Sequence, residues 1–239
     1  MMQYSVNLLA SATIIVVGGC LILYNFLVRK GIFEKLSGKF KVNDESGVFF
    51  LERTSGLLIF GILPLLMIVP AGKLNPSDLG LTTGQTSQYN LLLVLSVTVI
   101  AAVTYLFSGN KSGRINRHLT GEISARNIFL ISMGWIIYLI GYEFMFRGIL
   151  WFACFHAFGF VPAIIINIIL YSLAHVNQGP ITTLGAIPAG IIFCSFSYIT
   201  GSFILAFIAH STMAVSYELF SAYHASELKL GSNFKQPEQ

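Results

Sequence analysis

The fold is decided by one stretch of the chain, residues 127–156, which reads NIFLISMGWIIYLIGYEFMFRGILWFACFH. It is long enough to cross a bilayer, because about 20 apolar residues in a helix span the hydrocarbon core. It also contains Glu143 and Arg147, which are four residues apart and so share one face of that helix. An ionisable residue inside a membrane costs about 2.5–3.5 kcal/mol on insertion scales, so we expect this pair to face a bundle interior and to serve a function.

The composition of the whole chain agrees with this reading. Of the 239 residues, 55% are hydrophobic and 10% are charged, and the mean hydropathy is +0.75. These values are far from those of soluble domains. We therefore predict an all-α, polytopic transmembrane helical bundle with about seven membrane helices, at approximately 6–28, 55–72, 89–107, 127–156, 160–177, 184–200 and 202–220.

The positive charges report the orientation of the bundle. They cluster in the first and third connections between predicted spans, whereas the second holds only Lys73. By the positive-inside rule, the N-terminus is outside and the C-terminus is cytoplasmic. An integral protein of a bacterial plasma membrane fits this topology. Because these charges lie in loops, they do not form a nucleic-acid-binding face. The clustered residues are Arg29, Lys30, Lys35, Lys39, Lys41 and Arg53, then Lys111, Arg114, Arg117 and Arg126.

Three regions follow from the pattern of polar and apolar segments. Residues 1–126 are predicted to form an N-terminal three-helix membrane region with cytoplasmic loops, and residues 127–220 the core that carries the chemistry. Residues 108–126 form a polar hinge between them, and residues 221–239 a polar C-terminal tail. No Lys or Arg precedes the first apolar segment, which we therefore interpret as a retained helix rather than a secretory signal.

Two later spans carry histidines. Asn167, Tyr171 and His175 recur every four residues and so form one stripe on the fifth helix. If the fourth and fifth helices turn near Gly159, then Glu143 lies 16 residues before the turn and His175 lies 16 after it. At about 1.5 Å rise per residue both lie roughly 24 Å from the turn, so their side chains are predicted to meet.

The seventh span carries His210. It lies about eight residues into that predicted helix. By the same count of rise per residue, His210 is expected nearer the outer side of the membrane than Glu143, unless helix tilts or the short sixth helix bring the two level.

Three short motifs appear in successive apolar helices. They are Tyr142-Glu143-Phe144-Met145-Phe146-Arg147, Tyr171-Ser172-Leu173-Ala174-His175 and His210-Ser211-Thr212-Met213-Ala214. Their order and spacing resemble the CPBP intramembrane protease family, which includes the CAAX prenyl proteases and bacteriocin-processing or bacteriocin-immunity proteins. Two positions depart from the family pattern. Tyr142 stands where the family has its water-activating Glu, and Ala214 where it has an Asn that completes the oxyanion-binding group.

The resemblance implies an intramembrane peptidase that hydrolyses peptide bonds of membrane-associated or lipid-modified peptides. Glu143 would then activate water as the general base, His210 would stabilise the oxyanion, and His175 would orient the water. Arg147, Tyr142, Tyr171 and Asn167 would support them. Asn167 or Asn177 would replace the amide donor that Ala214 lacks. The expected partners are the lipid bilayer and a peptide or lipidated-peptide substrate.

Several alternatives stay open at the level of sequence. Glu143, His175 and His210 can supply three ligands to a catalytic zinc ion, although the chain has no His-Glu-x-x-His motif, and we favour water activation without a metal. Glu143 with Arg147 can also be a purely structural ion pair. A non-catalytic membrane scaffold or bacteriocin-immunity protein would retain the same fold. A transporter is less favoured, because no inverted repeat is visible.

Overall fold

The computed structural model describes residues 2–39, 44–71, 75–82, 89–108 and 124–233. Over these residues the chain forms eight helices and no strand. Two of the helices, α3 and α5, each contain a π-helical segment in mid-course. The helices are α1 (Met2–Arg29), α2 (Ile32–Lys39), α3 (Glu45–Ile68), α4 (Asn90–Ser108), α5 (Ala125–Phe158), α6 (Phe160–Ala174), α7 (Pro180–Thr200) and α8 (Ile204–Asn233).

The predicted helical membrane bundle is confirmed. Six helices are long and apolar enough to cross a membrane, namely α1, α3, α4, α5, α7 and α8. The fifth predicted span is shorter than expected, because α6 ends at Ala174 and has 15 residues. At about 1.5 Å per residue it covers only about 22 Å of the bilayer, which leaves His175 at the end of a helix rather than inside one.

Two predicted boundaries differ from the structure, and a third falls mostly outside the described residues. The second span begins at Glu45, about one helical turn after α2, so the first connection is partly helical. Residues 221–233, predicted as part of a polar tail, continue α8. The predicted hinge at 108–126 falls mostly on residues 109–123, which lie outside the described residues.

The two π-helical segments, Leu57–Ile62 in α3 and Phe144–Leu150 in α5, belong to helices that pack against each other. Their contact is tight because glycines meet. A Cβ atom on Gly141 would lie 2.9 Å from the Cα atom of Leu57 and 3.1 Å from the backbone nitrogen of Gly61. π-Helical turns within α-helices occur frequently at functional sites. This glycine contact fixes the position of α5 along α3, and with it the position of Glu143 and Arg147.

Gly141→Ala is therefore expected to destabilise the protein by about 1–3 kcal/mol, because the added methyl group meets backbone atoms that have little room to move. Gly185→Ala in α7 is the matched control, since a Cβ atom there meets nothing within 4 Å. Unfolding of the two variants in the same detergent measures the difference. Equal stability of both variants would contradict the close α3–α5 contact.

The segment 75–82 closes one end of the bundle. Leu79 is buried, and its carbonyl oxygen would lie 2.7 Å from a Cβ atom on Gly148, so only glycine fits at that position of α5. The buried hydroxyl of Ser202, between α7 and α8, donates to the Gly80 carbonyl at 3.1 Å. This hydrogen bond holds the turn between α7 and α8 against segment 75–82.

A polar network lies at the other end of the bundle. The guanidinium of Arg29, at the end of α1, donates to the side-chain oxygen of Asn177 at 2.6 Å. The amide of Asn177 in turn donates to Asn25 at 2.9 Å. Asn177 belongs to the single turn of 3₁₀ helix that follows His175. The end of α6 that carries His175 is therefore fixed to the charged end of α1.

Candidate active site

The centre of the site is a buried carboxylate with two partners. One oxygen of Glu143 lies 2.5 Å from the Nδ1 atom of His210, although the two residues are 67 positions apart. The other oxygen lies 3.3 Å from an Nη atom of Arg147 in an ion pair without hydrogen-bond geometry. Both Glu143 and Arg147 are fully buried, and His210 is 6% exposed. The contact with His210 shows that the expected difference in depth between His210 and Glu143 is wrong.

Arg147 is enclosed by aromatic rings and small residues. Its guanidinium carbon lies 4.0 Å from the ring centre of Tyr171 and 5.4 Å from that of Phe193. Gly190 of α7 leaves room for it, since a Cβ atom there would approach an Nη atom to 3.8 Å. No nitrogen of the guanidinium has a hydrogen-bond partner. The structural ion pair foreseen for Glu143 and Arg147 is present, and it is extended by His210.

His175 and His210 contact the same two tyrosines. The His175 ring centre is 4.6 Å from that of Tyr171 and 6.3 Å from that of Tyr142. The His210 ring centre is 6.2 Å from Tyr171 and 6.0 Å from Tyr142. His175 also forms a 2.8 Å hydrogen bond between its Nδ1 atom and the carbonyl oxygen of Tyr171. The fourth and fifth predicted helices thus meet through Tyr142 and His175, whereas the histidine in direct contact with Glu143 is His210 of the last helix.

Tyr142 lies at the middle of this cluster. Its ring is 3% exposed and packs on Phe60, Tyr138 and Phe146 at 5.6, 5.5 and 4.8 Å between ring centres. Its hydroxyl is buried and has no hydrogen-bond partner. A buried hydroxyl without a partner costs about 1–3 kcal/mol, so this group needs a ligand or a function to offset that cost.

The amide groups proposed as replacement donors are engaged elsewhere. Asn167 is fully buried and donates from its amide to the carbonyl oxygen of Phe146 at 2.7 Å, which holds α6 against the π-helical segment. Asn177 belongs to the network with Arg29 and Asn25. Ala214 packs against the hydrophobic core. None of these three residues presents a free amide donor beside His210.

The predicted zinc ligands do not fit a metal ion in this arrangement. No group of three or more His, Cys, Asp and Glu residues that suits a metal occurs in the described part of the chain. The two oxygens of Glu143 face His210 and Arg147, and Nδ1 of His175 is bonded to the backbone. A catalytic zinc site needs at least three such ligands directed at one point. Water activation without a metal stays a prediction, to be tested by chelation.

The sequence did not point to some of the residues that shape the site. Phe193 of α7 stacks on His210 at 5.3 Å between ring centres and 27° between planes. Tyr138 stacks on Tyr142 at 5.5 Å and 20°. Leu79 supplies the carbonyl below Gly148. Phe193 and Tyr138 are apolar or aromatic residues in apolar spans, and no spacing in the sequence distinguishes them from lipid-facing neighbours such as Tyr198.

Comparison with known families gives one match. The model of the family described as Type II CAAX prenyl endopeptidase Rce1-like matches residues 124–216, which include all three motifs and run from the start of α5 into α8. No curated protein and no solved structure matches the chain. This match agrees with the resemblance to the CPBP and CAAX protease family and confirms it for residues 124–216, which are similar to the Rce1-like CAAX endopeptidases.

Proposed function

We propose that this protein is an active intramembrane peptidase that hydrolyses a peptide bond in membrane-associated or lipid-modified peptides. Water is the nucleophile, and the reaction takes place beside Glu143, His175, His210 and Tyr142. The observation that carries the proposal is the 2.5 Å contact between Glu143 and His210, made across two helices in a buried site. If Glu143 needed only a counter-charge, Arg147 would supply it from one helical turn away in the same helix, without His210.

The base role predicted for Glu143 needs one refinement. A general base must lie within hydrogen-bond reach of the water it deprotonates. In the structure one oxygen of Glu143 is bonded to His210, and the other faces Arg147. Both oxygens of Glu143 thus face protein side chains, and Glu143 contributes to the proposed chemistry through its contact with His210.

The two ends of the bundle suggest how substrate arrives. The segment 75–82 covers the α5 helix at Gly148, on one side of the site. His175 lies at the opposite side, next to Asn177 and the basic end of α1 at Arg29. The positive-inside rule assigns that side to the cytoplasm. We infer that the scissile bond enters from the cytoplasmic half of a bacterial plasma membrane, with the N-terminus of the chain outside.

The function is tested with purified protein reconstituted in lipid vesicles. A mixed library of membrane-associated and lipidated peptides is incubated with the native protein, with Glu143→Gln and with His175→Ala, and the products are identified by mass spectrometry. We expect products that disappear in both variants while both variants still unfold cooperatively. Peptides left intact by a well-folded native protein would overturn the proposal.

Metal dependence is tested in the same assay. We expect a membrane-permeant chelator to leave the cleavage rate unchanged, and added zinc to give no increase, because Glu143, His175 and His210 do not converge as ligands. Loss of cleavage with the chelator and recovery with zinc would show that the site rearranges around a metal in the working enzyme.

A non-catalytic scaffold or immunity protein is the second candidate. Tyr142 and Ala214 favour it, because both replace residues that the family uses for catalysis. The double variant Tyr142→Glu with Ala214→Asn separates the two functions. If the native protein cleaves no peptide and the double variant does, the native chain has lost the catalytic activity of the family that it resembles. If the native protein cleaves peptides, the scaffold is excluded as its only function.

A further inference from the structure

The imidazole of His210 contacts Glu143 through only one of its two ring nitrogens. Nδ1 of His210 is bonded to the carboxylate. Which ring nitrogen of a neutral histidine carries the proton is set by the hydrogen bond that the other one makes. An ionised carboxylate accepts and does not donate, so Nδ1 holds the proton. Nε2 of His210 then presents a lone pair on the side of the ring away from Glu143.

From this geometry we propose that His210 is the general base of the peptidase and that Glu143 is the residue that positions it. The proposal rests on the proposed function and differs from the roles implied by the family resemblance, in which Glu143 is the base and His210 the oxyanion donor. It follows from the partners of Glu143: one of its oxygens is bonded to His210 and the other faces Arg147, so the proton acceptor is another group.

Two contacts hold His210 in one orientation, and a third holds the carboxylate that it contacts. The carboxylate of Glu143 fixes Nδ1 at 2.5 Å, and the ring of Phe193 stacks on the imidazole at 5.3 Å. The carboxylate is itself held by the guanidinium of Arg147 at 3.3 Å. A carboxylate behind a histidine selects its tautomer and stabilises the imidazolium that forms when it takes a proton. Arg147 thus acts on the base through Glu143.

His175 is the competing candidate and is less suited to the role. Its Nδ1 atom is bonded to a neutral backbone carbonyl, that of Tyr171, rather than to a carboxylate. A neutral carbonyl fixes the tautomer but supplies little stabilisation to an imidazolium. His175 is also only partly buried, at the end of α6. We assign it to binding the water or the substrate beside His210.

Hydrolysis begins with the attack of water on the peptide carbonyl group. Nε2 of His210 takes a proton from water while the water oxygen forms a bond to the carbonyl carbon of the peptide. The carbonyl oxygen becomes an oxyanion, and its donor is the hydroxyl of Tyr142, which is buried without a partner and whose ring centre lies 6.3 Å from that of His175 and 6.0 Å from that of His210. The carbon–nitrogen bond then breaks, and the imidazolium of His210 returns its proton to the leaving amine. The products are a carboxylic acid and an amine.

His210→Gln is the variant that separates the two assignments. A glutamine amide can still donate a hydrogen bond to an oxyanion but cannot accept a proton from water. If His210 is the base, kcat falls by about 10²–10⁴-fold with KM nearly unchanged. If His210 is only an oxyanion donor, kcat stays within about tenfold of the native value.

Two further measurements keep the test independent of folding. Imidazole added to His210→Gly is expected to restore cleavage in a concentration-dependent way, which a variant that failed to fold does not allow. Glu143→Asp, which keeps a carboxylate, is expected to retain more kcat than Glu143→Ala at equal KM. A His210→Gln protein that keeps its kcat while native protein cleaves would overturn the inference alone. A native protein that cleaves nothing would overturn the proposed function and the inference with it.

Discussion

Arg147→Met is expected to destabilise the protein by about 3–5 kcal/mol, because it leaves the fully buried carboxylate of Glu143 without its counter-charge. Methionine fills a similar volume, so the loss reports the charge rather than a cavity. Chemical unfolding in detergent measures this loss.

Two companion variants make this result specific. Arg147→Lys keeps the charge and is expected to lose less stability, although it gives up the planar contact with Tyr171 at 4.0 Å. Adding Glu143→Gln to Arg147→Met removes the unpaired carboxylate and is expected to recover most of the stability while activity stays absent. Strict additivity of the two single changes would contradict a direct coupling between these side chains.

Tyr142→Phe is expected to lower kcat by about 10²–10³-fold, the usual effect of removing one oxyanion donor. The same change should leave stability unchanged or slightly higher, because the hydroxyl is buried and has no partner in the free protein. The combination of a large loss in rate with no loss in stability distinguishes a catalytic hydroxyl from a packing residue. Kinetics and thermal unfolding of one preparation provide both values.

Tyr198→Phe is the matched control for this prediction. Tyr198 lies on α7 with half of its surface exposed, and its ring packs on Phe155 and Phe160, outside the site. We expect that removing the hydroxyl of Tyr198 changes neither the cleavage rate nor the stability of the protein. Full activity of Tyr142→Phe would remove Tyr142 from the mechanism and leave it as a filler for the lost carboxylate.

The overall bundle was accessible from sequence because hydropathy alone marks long apolar helices. The hairpin at Gly159 was accessible as well: its φ of 81° is one that glycine adopts readily, and it reverses the chain between α5 and α6. The i, i+4 spacing identified the Glu143 and Arg147 pair. These features depend on local sequence, which is why they could be predicted.

The depth of His210 could not be predicted in the same way. Counting residues from the start of the last helix assumes that the helix begins at the membrane surface. In the structure the preceding turn is buried, with Ser202 fully enclosed and bonded to Gly80. The last helix therefore starts inside the bundle, covered by the 75–82 segment. This deeper start brings His210 to the level of Glu143. A contact between residues 122 positions apart carries no local signal.

The roles of the site residues also depend on tertiary contacts. The sequence identified Glu143, His175 and His210 as the chemical groups, but the partner of each nitrogen and oxygen appeared only in the fold. The π-helical segment from Phe144 to Leu150 is a further example, because its phase decides which side chains face α7 and α8. The family match to residues 124–216 identifies the domain and leaves these assignments to experiment.

The central claim is that this site hydrolyses peptide bonds through a base on His210. The most direct test is cleavage in water enriched in ¹⁸O, with native protein and His210→Gln compared by mass spectrometry. The account predicts native products with one ¹⁸O atom at the new C-terminal carboxyl group, and the same products from His210→Gln at a rate lower by about 10²–10⁴-fold. Labelled products formed at similar rates by both proteins would contradict it, as would a native protein that forms none.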